Sequence, residues 1–189
     1  MKSLRFLLPA FVVAGILPAL PAAEAAKEVT VLDFTYMVRN ADSTYEKSYE
    51  YSFGDWSGSK KVAQLPHKGF IVNHEGSKGG VGGNQGLDFG QHTKAHVYFV
   101  VGNGNRAAAF NLTLEDSDGT NQVWDIPLVN VPKGSLLAVA VDLAHPTRQD
   151  NPGKKAGLNF GKLASWQIKG DYQDAPLEVM LIKITAFSP

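Results

Sequence analysis

The sequence predicts an all-β fold, a sandwich of two packed antiparallel sheets with about nine strands. Two observations lead to this fold class. Apolar and polar residues alternate with a period of two in one segment after another, and a strand sends alternate side chains to opposite faces of its sheet. Turn residues separate these segments, and two facing sheets are the natural way for such strands to bury their apolar sides.

Five of the predicted strands lie in the first part of the chain. Residues 29–34 form a β-branched run, and 45–53 alternates so that one face is aromatic and the other polar. Residues 68–73 form a short strand. Residues 96–101 are almost entirely apolar, as in a central strand, and 107–115 alternates again.

The remaining predicted strands are 123–128, 136–143, 165–169 and 177–187. Proline cannot donate to a sheet ladder, so Pro127 predicts a strand end or a sheet edge. The sequence Asp116-Ser117-Asp118-Gly119 stands between two alternating segments and predicts a hairpin turn.

Two glycine-containing regions are predicted to be loops, and one short sequence occurs twice. Residues 76–86 hold six glycines, and 147–157 is polar with a proline and two glycines. Gly86-Leu87-Asp88-Phe89-Gly90 is echoed by Gly157-Leu158-Asn159-Phe160-Gly161. We interpret both copies as the same polar turn, whose leucine and phenylalanine close one end of the sandwich.

The N-terminus predicts export. A positively charged start (Lys2, Arg5) precedes an uncharged apolar stretch, and Ala23-Glu24-Ala25 fits the small-x-small rule of signal peptidase. Three prolines and the cleavage motif argue against a membrane-spanning helix. We expect a secretory signal peptide at 1–25, a single β-sandwich domain at 26–189, a secreted or periplasmic location and no membrane insertion after cleavage.

Composition and spacing argue against several kinds of chemistry. The 18 Lys and Arg balance 18 Asp and Glu, which leaves no strong field for nucleic acid. The chain has no cysteine and no Gly-x-Ser-x-Gly sequence, so nucleophilic catalysis has no visible residue. On one strand His92 and His96 would lie about 13 Å apart, too far to share a metal. We expect no catalytic residue and no metal site, although a pair of converging carboxylates stays open.

Aromatic residues are the candidates for ligand binding. Flat rings stack on sugars while amide and carboxylate groups bind the hydroxyls. Trp166 alternates in phase with Ile168, which favours the core, and the same parity argument applies to Trp124. Trp56 and Tyr172 lie in turn sequences and are expected to be the most exposed rings. The candidate ligand-binding residues are Trp56, Trp124, Tyr172, Asp55, Asn84 and Asp171.

From Gly86 to Phe187 the chain resembles the jelly-roll carbohydrate-binding modules of the galactose-binding-like group. The stretches that carry this resemblance are 87–101, 112–120, 139–143, 157–168 and 179–184. The resemblance implies a jelly-roll fold, glycan binding on a sheet face or at loop tips, no catalytic activity and often a structural calcium. Lys183 stands where such modules usually carry an acidic residue tied to that calcium. No cofactor is therefore expected, and the presence of a structural calcium stays open.

Together these observations predict a non-catalytic, exported binding module for a polysaccharide or glycoconjugate. Two alternatives stay open at this point. One is a structural or protein-interaction component of the cell envelope without glycan affinity, and the other is a small glycan-active hydrolase or lyase. The expected partner is a carbohydrate or a cell-envelope component, and not nucleic acid.

Overall fold

The computed structural model describes residues 27–35, 59–65, 68–74, 78–83, 87–153 and 157–188. This part of the chain forms eleven strands and no helix, and none of it could cross a membrane as a helix. The strands are β1 (Val29–Asp33), β2 (Ser59–Leu65), β3 (Gly69–His74), β4 (Lys78–Gly83), β5 (Lys94–Val101), β6 (Ala109–Asp116), β7 (Thr120–Pro127), β8 (Leu136–Asp142), β9 (Arg148–Pro152), β10 (Leu163–Asp171) and β11 (Leu177–Phe187).

The strands form two antiparallel sheets, which confirms the predicted sandwich. The six-stranded sheet has the order β2-β3-β11-β5-β8, with β1 as its sixth strand paired to β11, and the five-stranded sheet has the order β4-β10-β6-β7-β9. One edge of the long strand β11 pairs first with β3 and then with β1, while its other edge pairs with β5. The pairing register between β11 and β5 shifts at Ile182. The carbonyl of Ile182 accepts a hydrogen bond from the Phe34 amide at 2.9 Å.

The core lies between the two sheets and is built from alternate residues of nearly every strand. Phe99 of β5 meets Phe110 of β6 edge to face, with their ring centres 5.1 Å apart. Trp166 is fully buried and packs against Phe34 in the same way at 5.4 Å. Burial of these apolar faces is the main favourable term in folding, and it confirms the core position predicted for Trp166.

The strand count and two loop predictions need correction. Residues 78–83 and 148–152 are strands and not loops, and residues 59–65 form a further strand that was not predicted, so the described chain has eleven strands where about nine were expected. β4 is glycine-rich because it lies unusually close to β10: a Cβ on Gly80 would stand 2.3 Å from the Ile168 carbonyl oxygen. The predicted strand 45–53 and the signal peptide 1–25 lie outside the described residues.

The repeated turn behaves as its sequence predicts, and its two copies contact each other. Asp88 Oδ1 accepts the Gly90 amide, and Asn159 Oδ1 accepts the Gly161 amide, so both copies form the same Asx turn. The Phe89 amide donates to the Phe160 carbonyl at 2.9 Å, and the two rings meet edge to face. The paired turns therefore close one end of the sandwich.

The predicted hairpin joins β6 to β7, and the carboxylate of Asp116 holds it in place. This side chain is buried, and its Oδ1 accepts the amides of Asp118 at 2.9 Å and Thr120 at 3.0 Å. Its Oδ2 accepts the Asn159 amide at 3.0 Å. One carboxylate thus connects the hairpin to the repeated turn.

Candidate functional site

A groove opens on the face of the five-stranded sheet that is turned away from the core. It consists of two adjoining cavities of about 640 and 330 Å³, which share Asn111, Arg148, Gly170 and Asp171 in their walls. Its polar lining side chains are Lys78, Arg106, Asn111, Asp125, Arg148, Asp150, Lys169, Asp171, Tyr172 and Gln173. Residues from β4, β6, β7, β9 and β10 contribute to these walls, so the groove involves every strand of the sheet.

A hydrogen-bonded network centred on Arg148 forms the middle of the groove. Its Nη1 donates to Asp125 Oδ1 and its Nη2 to Asn111 Oδ1, both at 3.3 Å, while its Nε donates to Asp150 Oδ1 at 3.0 Å. Asn111 Nδ2 also donates to Asp125 Oδ1, at 2.6 Å. The strand register places Asn111 directly opposite Asp125. The network therefore holds planar polar groups at fixed positions on a sheet, which is the chemistry that binds sugar hydroxyls.

Lys169 lies beside this network and is half-buried. Its register partners are Asn111 on β6 and Gly80 on β4. Burial lowers the pKa of Lys169; Asp150 and Glu115 oppose this change, whereas Arg148 adds to it. The charges of the groove thus act on one another across three strands.

A strained turn forms one rim of the groove. Gln173 and Asp174 have positive φ values of 51° and 63°, although neither is a glycine. The Ala175 amide donates to the Tyr172 carbonyl and closes the turn, and the Gln173 amide donates to Asp171 Oδ1. Such backbone conformations cost about 1–3 kcal/mol each and concentrate at functional sites.

Asp171 and Tyr172, two of the sequence-predicted ligand residues, lie in this rim. Asp171 is exposed, and Lys78 Nζ approaches its carboxylate at 3.9 Å. Tyr172 is only 4% exposed, because its ring folds over Gly170 and its hydroxyl donates to the Gly79 carbonyl. Burial raises the pKa of Tyr172. The expected exposure of this ring is therefore wrong, although the residue does line the groove.

Trp124 faces the core and not the groove. It is 3% exposed, it packs against Phe160, and its Nε1 donates to the Asp142 carbonyl at 2.8 Å. It therefore presents no ring for stacking on this face, and the parity argument that favoured the core is confirmed. The other candidates, Asp55, Trp56 and Asn84, lie outside the described residues.

The central groove residues were not predicted from the sequence, although part of the signal was present. Residues 116–119 predict the hairpin turn, and β6 and β7 are joined through three residues, so Asn111 pairs with Asp125. Counting outward from a four-residue turn at 116–119 would instead pair Asn111 with Trp124. Arg148 and Asp150 gave no comparable signal, because every residue of β9 is exposed and shows no alternation.

Within the described ranges no three His, Asp or Glu side chains come together in a way that could hold a metal. Lys183 Nζ instead lies 4.6 Å from the centre of the Tyr98 ring, where a cation–π contact holds it.

Comparison with known proteins finds similarity in structure and not in sequence. No protein-family model matches the chain, and no curated protein matches it. A family 11 carbohydrate-binding module of the Clostridium thermocellum cellulosomal cellulase Lic26A-Cel5E has a TM-score of 0.57 at 14% identity, with 88% of this chain and 97% of that chain covered. The chain has the fold of a jelly-roll carbohydrate-binding module. The resemblance predicted from the sequence is thereby confirmed for the fold.

Two further structures share this fold. A family 11 module from Clostridium thermocellum, in complex with a β-1,3-1,4-mixed-linked tetrasaccharide, has a TM-score of 0.58 at 15% identity, over 87% of this chain and 98% of that one. An agarase, AgWH50C, has a TM-score of 0.57 at 9% identity, over 86% of this chain and 24% of the enzyme. At these identities the likeness concerns the fold alone.

Proposed function

We propose that this protein is an exported, non-catalytic module that binds a polysaccharide in the groove of the five-stranded sheet. The observation that carries the proposal is the network in which Arg148 connects Asn111, Asp125 and Asp150 on a recessed sheet face. The fold supports it, because modules with this fold include one solved with a bound tetrasaccharide.

The groove has the chemistry that a sugar chain requires. A hydroxyl group both donates and accepts hydrogen bonds, so it can bridge a carboxylate and an amide that lie side by side, as Asp125 and Asn111 do. Because the network fixes both groups before the ligand arrives, little side-chain freedom is lost on binding. The short side chain of Ala109 leaves room for a sugar ring beside the polar groups.

The groove carboxylates are arranged for binding and not for hydrolysis. A glycosidase needs two carboxyl groups that flank the scissile bond, one of which delivers a proton. Asp125 and Asp150 both accept hydrogen bonds from the same guanidinium group. Asp171 accepts an amide of its own turn and faces Lys78. We therefore propose that the bound polysaccharide is left chemically unchanged.

Affinity electrophoresis of residues 26–189 tests the proposal. The gels contain mixed-linkage β-glucan, agarose or soluble cellulose, and any polysaccharide that retards the protein is then measured by titration calorimetry. Asn111→Ala should weaken the retardation at least tenfold. The matched control is Lys183→Ala, which removes a polar side chain from the other sheet and should bind like the wild type. Retardation by no polysaccharide, or equal binding of the Asn111 variant, would refute the proposal.

Three further measurements test the remaining parts of the proposal. N-terminal sequencing of the protein secreted by its host should give residue 26 as the first residue. Incubation with the bound polysaccharide should release no reducing ends, and a release above the background would show an enzyme instead. Recovery of one stoichiometric protein partner, together with no glycan affinity, would favour an envelope-assembly role.

A further inference from the structure

β8 is an end strand of the six-stranded sheet, and its free edge is uncharged. It pairs with β5 on one side and with no described strand on the other. Between Lys133 and Asp142 the chain reads Gly-Ser-Leu-Leu-Ala-Val-Ala-Val, without a charge or a proline. End strands are normally protected against pairing with another chain by charges, by proline or by a covering segment. The end strands β2, β4 and β9 carry such residues: Lys60 and Lys61 on β2, Lys78 on β4, and Arg148, Asp150 and Pro152 on β9.

The backbone groups of Leu136, Ala138 and Ala140 point away from β5. The Leu143 amide donates to the Thr93 carbonyl at 2.9 Å, and the same register continues along the strand. In an antiparallel ladder every second residue exchanges hydrogen bonds with its partner. The odd-numbered residues of β8 therefore bond to β5, and the even-numbered ones direct their amides and carbonyls to the free edge. No backbone group of the described chain pairs with Leu136, Ala138 or Ala140 at that edge.

The side chains of β8 are also incompletely covered. Leu136 is 61% exposed, and Ala138 and Ala140 are exposed on the same outer face of the sheet. Leu137 and Val139 face the core but are only half-buried, because the sheet ends at this strand. A further strand at this edge would cover apolar surface on both faces, which is favourable.

The sequence of this edge is complementary to a second copy of itself. Lys133 precedes the uncharged stretch and Asp142 ends it, so antiparallel pairing brings the basic end of one copy beside the acidic end of the other. A two-fold axis at Ala138 pairs Leu136 with Ala140 of the second copy and forms about six backbone hydrogen bonds. The two Asp142 side chains then lie about 27 Å apart along the strands. Parallel pairing would instead place like charges side by side.

We propose that two copies of this protein pair antiparallel through β8 and join their six-stranded sheets into one continuous sheet. The two-fold axis of such a pair is perpendicular to the sheet, so both five-stranded sheets lie on the same side of it. The two grooves then open in the same direction, and two segments of polysaccharide at one surface can occupy both. This bivalence rests on the proposed function, whereas the dimer itself does not.

Analytical ultracentrifugation of residues 26–189 over a concentration series tests the dimer. One strand from each copy makes a small interface, so we expect dissociation in the micromolar range. Ala138→Lys places two lysines opposite each other at the two-fold axis and should weaken the dimer by about tenfold or more. Ser117→Lys adds the same charge at an exposed turn outside β8 and should associate like the wild type. A wild type that stays monomeric throughout the micromolar range, or an Ala138→Lys variant that dimerises equally well, would overturn the inference.

Proline substitutions test whether the backbone makes the contact. Ala138→Pro removes an amide that points to the free edge, so this variant should fold and remain monomeric. Val139→Pro removes an amide that bonds to β5 and should melt at a much lower temperature. Dimerisation of Ala138→Pro with wild-type affinity would overturn pairing through β8. If Ala138→Pro fails to fold, Ala138→Lys and its control decide the question.

Binding measurements separate the dimer from the groove. In polysaccharide gels the Ala138→Lys monomer should be retarded about tenfold or more weakly than the wild type, because two linked sites bind a polymer more tightly than one. Its affinity for a short oligosaccharide of the same polysaccharide should be unchanged. Equal retardation of the variant and the wild type would overturn the bivalence. A wild type that dimerises through β8 but binds no polysaccharide would uphold this interface and overturn the proposed function.

Discussion

Removing the carboxylate of Asp116 should be among the most destabilising single changes in this protein. Its two oxygens accept three backbone amides, from Asp118, Thr120 and Asn159, at 2.9–3.0 Å. Two of these amides belong to the β6–β7 hairpin, and the third belongs to the repeated turn at the end of the sandwich. Asp116→Ala would leave all three without this acceptor at a position that is 3% exposed.

The magnitude follows from the number of lost bonds. A hydrogen bond to a charged group contributes about 1.5–3 kcal/mol, and partial access of water to the freed amides offsets some of the loss. We expect Asp116→Ala to lower the free energy of unfolding by about 4 kcal/mol, which lies at the upper end for single substitutions. Asp116→Asn keeps one oxygen for two amides but turns an NH₂ group toward the Asn159 amide, so about 2 kcal/mol is expected.

Urea unfolding followed by tryptophan fluorescence measures these losses, because Trp124 and Trp166 are buried and report on the core. Ser117→Ala is the matched control, since this neighbouring turn residue is exposed, and its effect should stay within about 0.5 kcal/mol. A loss below about 1 kcal/mol for Asp116→Ala, or equal losses for the alanine and asparagine variants, would refute the reasoning.

Three other predictions concern sheet contacts. Gly80→Ala should lower the free energy of unfolding by about 3 kcal/mol, because its Cβ would stand 2.3 Å from the Ile168 carbonyl oxygen; a change below 0.5 kcal/mol in denaturant unfolding would contradict this close approach. Tyr172→Phe should cost about 1 kcal/mol through the lost bond to Gly79, and thermal unfolding that matches the wild type would show that this bond does not stabilise the rim. Glu28→Gln should lower stability by about 1 kcal/mol at pH 7, and this difference should vanish at acid pH. An equal loss of stability at every pH would show that the effect does not come from the charge of Glu28.

The sign of the Glu28 effect follows from its contacts. Desolvation by burial raises the pKa of Glu28, but hydrogen bonds from Tyr98, Thr185 and His96 outweigh it and hold the pKa below its usual value of 4.5. A carboxyl group with a lowered pKa in the folded state stabilises the protein above its unfolded pKa. That contribution is lost as the pH falls through the folded pKa, so the two proteins should converge well below pH 4.5.

Local patterns predicted those parts of the fold that burial enforces. Phe110, Leu112 and Leu114 alternate in the sequence and are fully buried in the structure, because one face of β6 must meet the other sheet. The turn at 116–119 was predictable for a different reason, since Asp and Gly there satisfy the geometry of a tight connection.

The parts that could not be predicted depend on contacts between distant segments. β4 is a strand because β10 accommodates its glycines at very short range, and nothing within 78–83 itself shows this. Tyr172 lies in a turn sequence, yet its hydroxyl reaches Gly79 and draws the ring inward. Turn residues predict where the backbone is exposed and leave the position of a large side chain undetermined. The groove network could not be predicted for the same reason, because Arg148 donates hydrogen bonds to residues that are 23 and 37 positions away in the sequence.

The position of β11 sets the order in which this protein can assemble. It pairs with β1, β3 and β5, so three strands made much earlier share a partner near the end of the described chain. Until Leu177–Phe187 leaves the ribosome, the six-stranded sheet lacks its central member and its ladder cannot close. Closure of this sheet therefore waits for its latest strand in the chain, and its rate is set by long-range pairing.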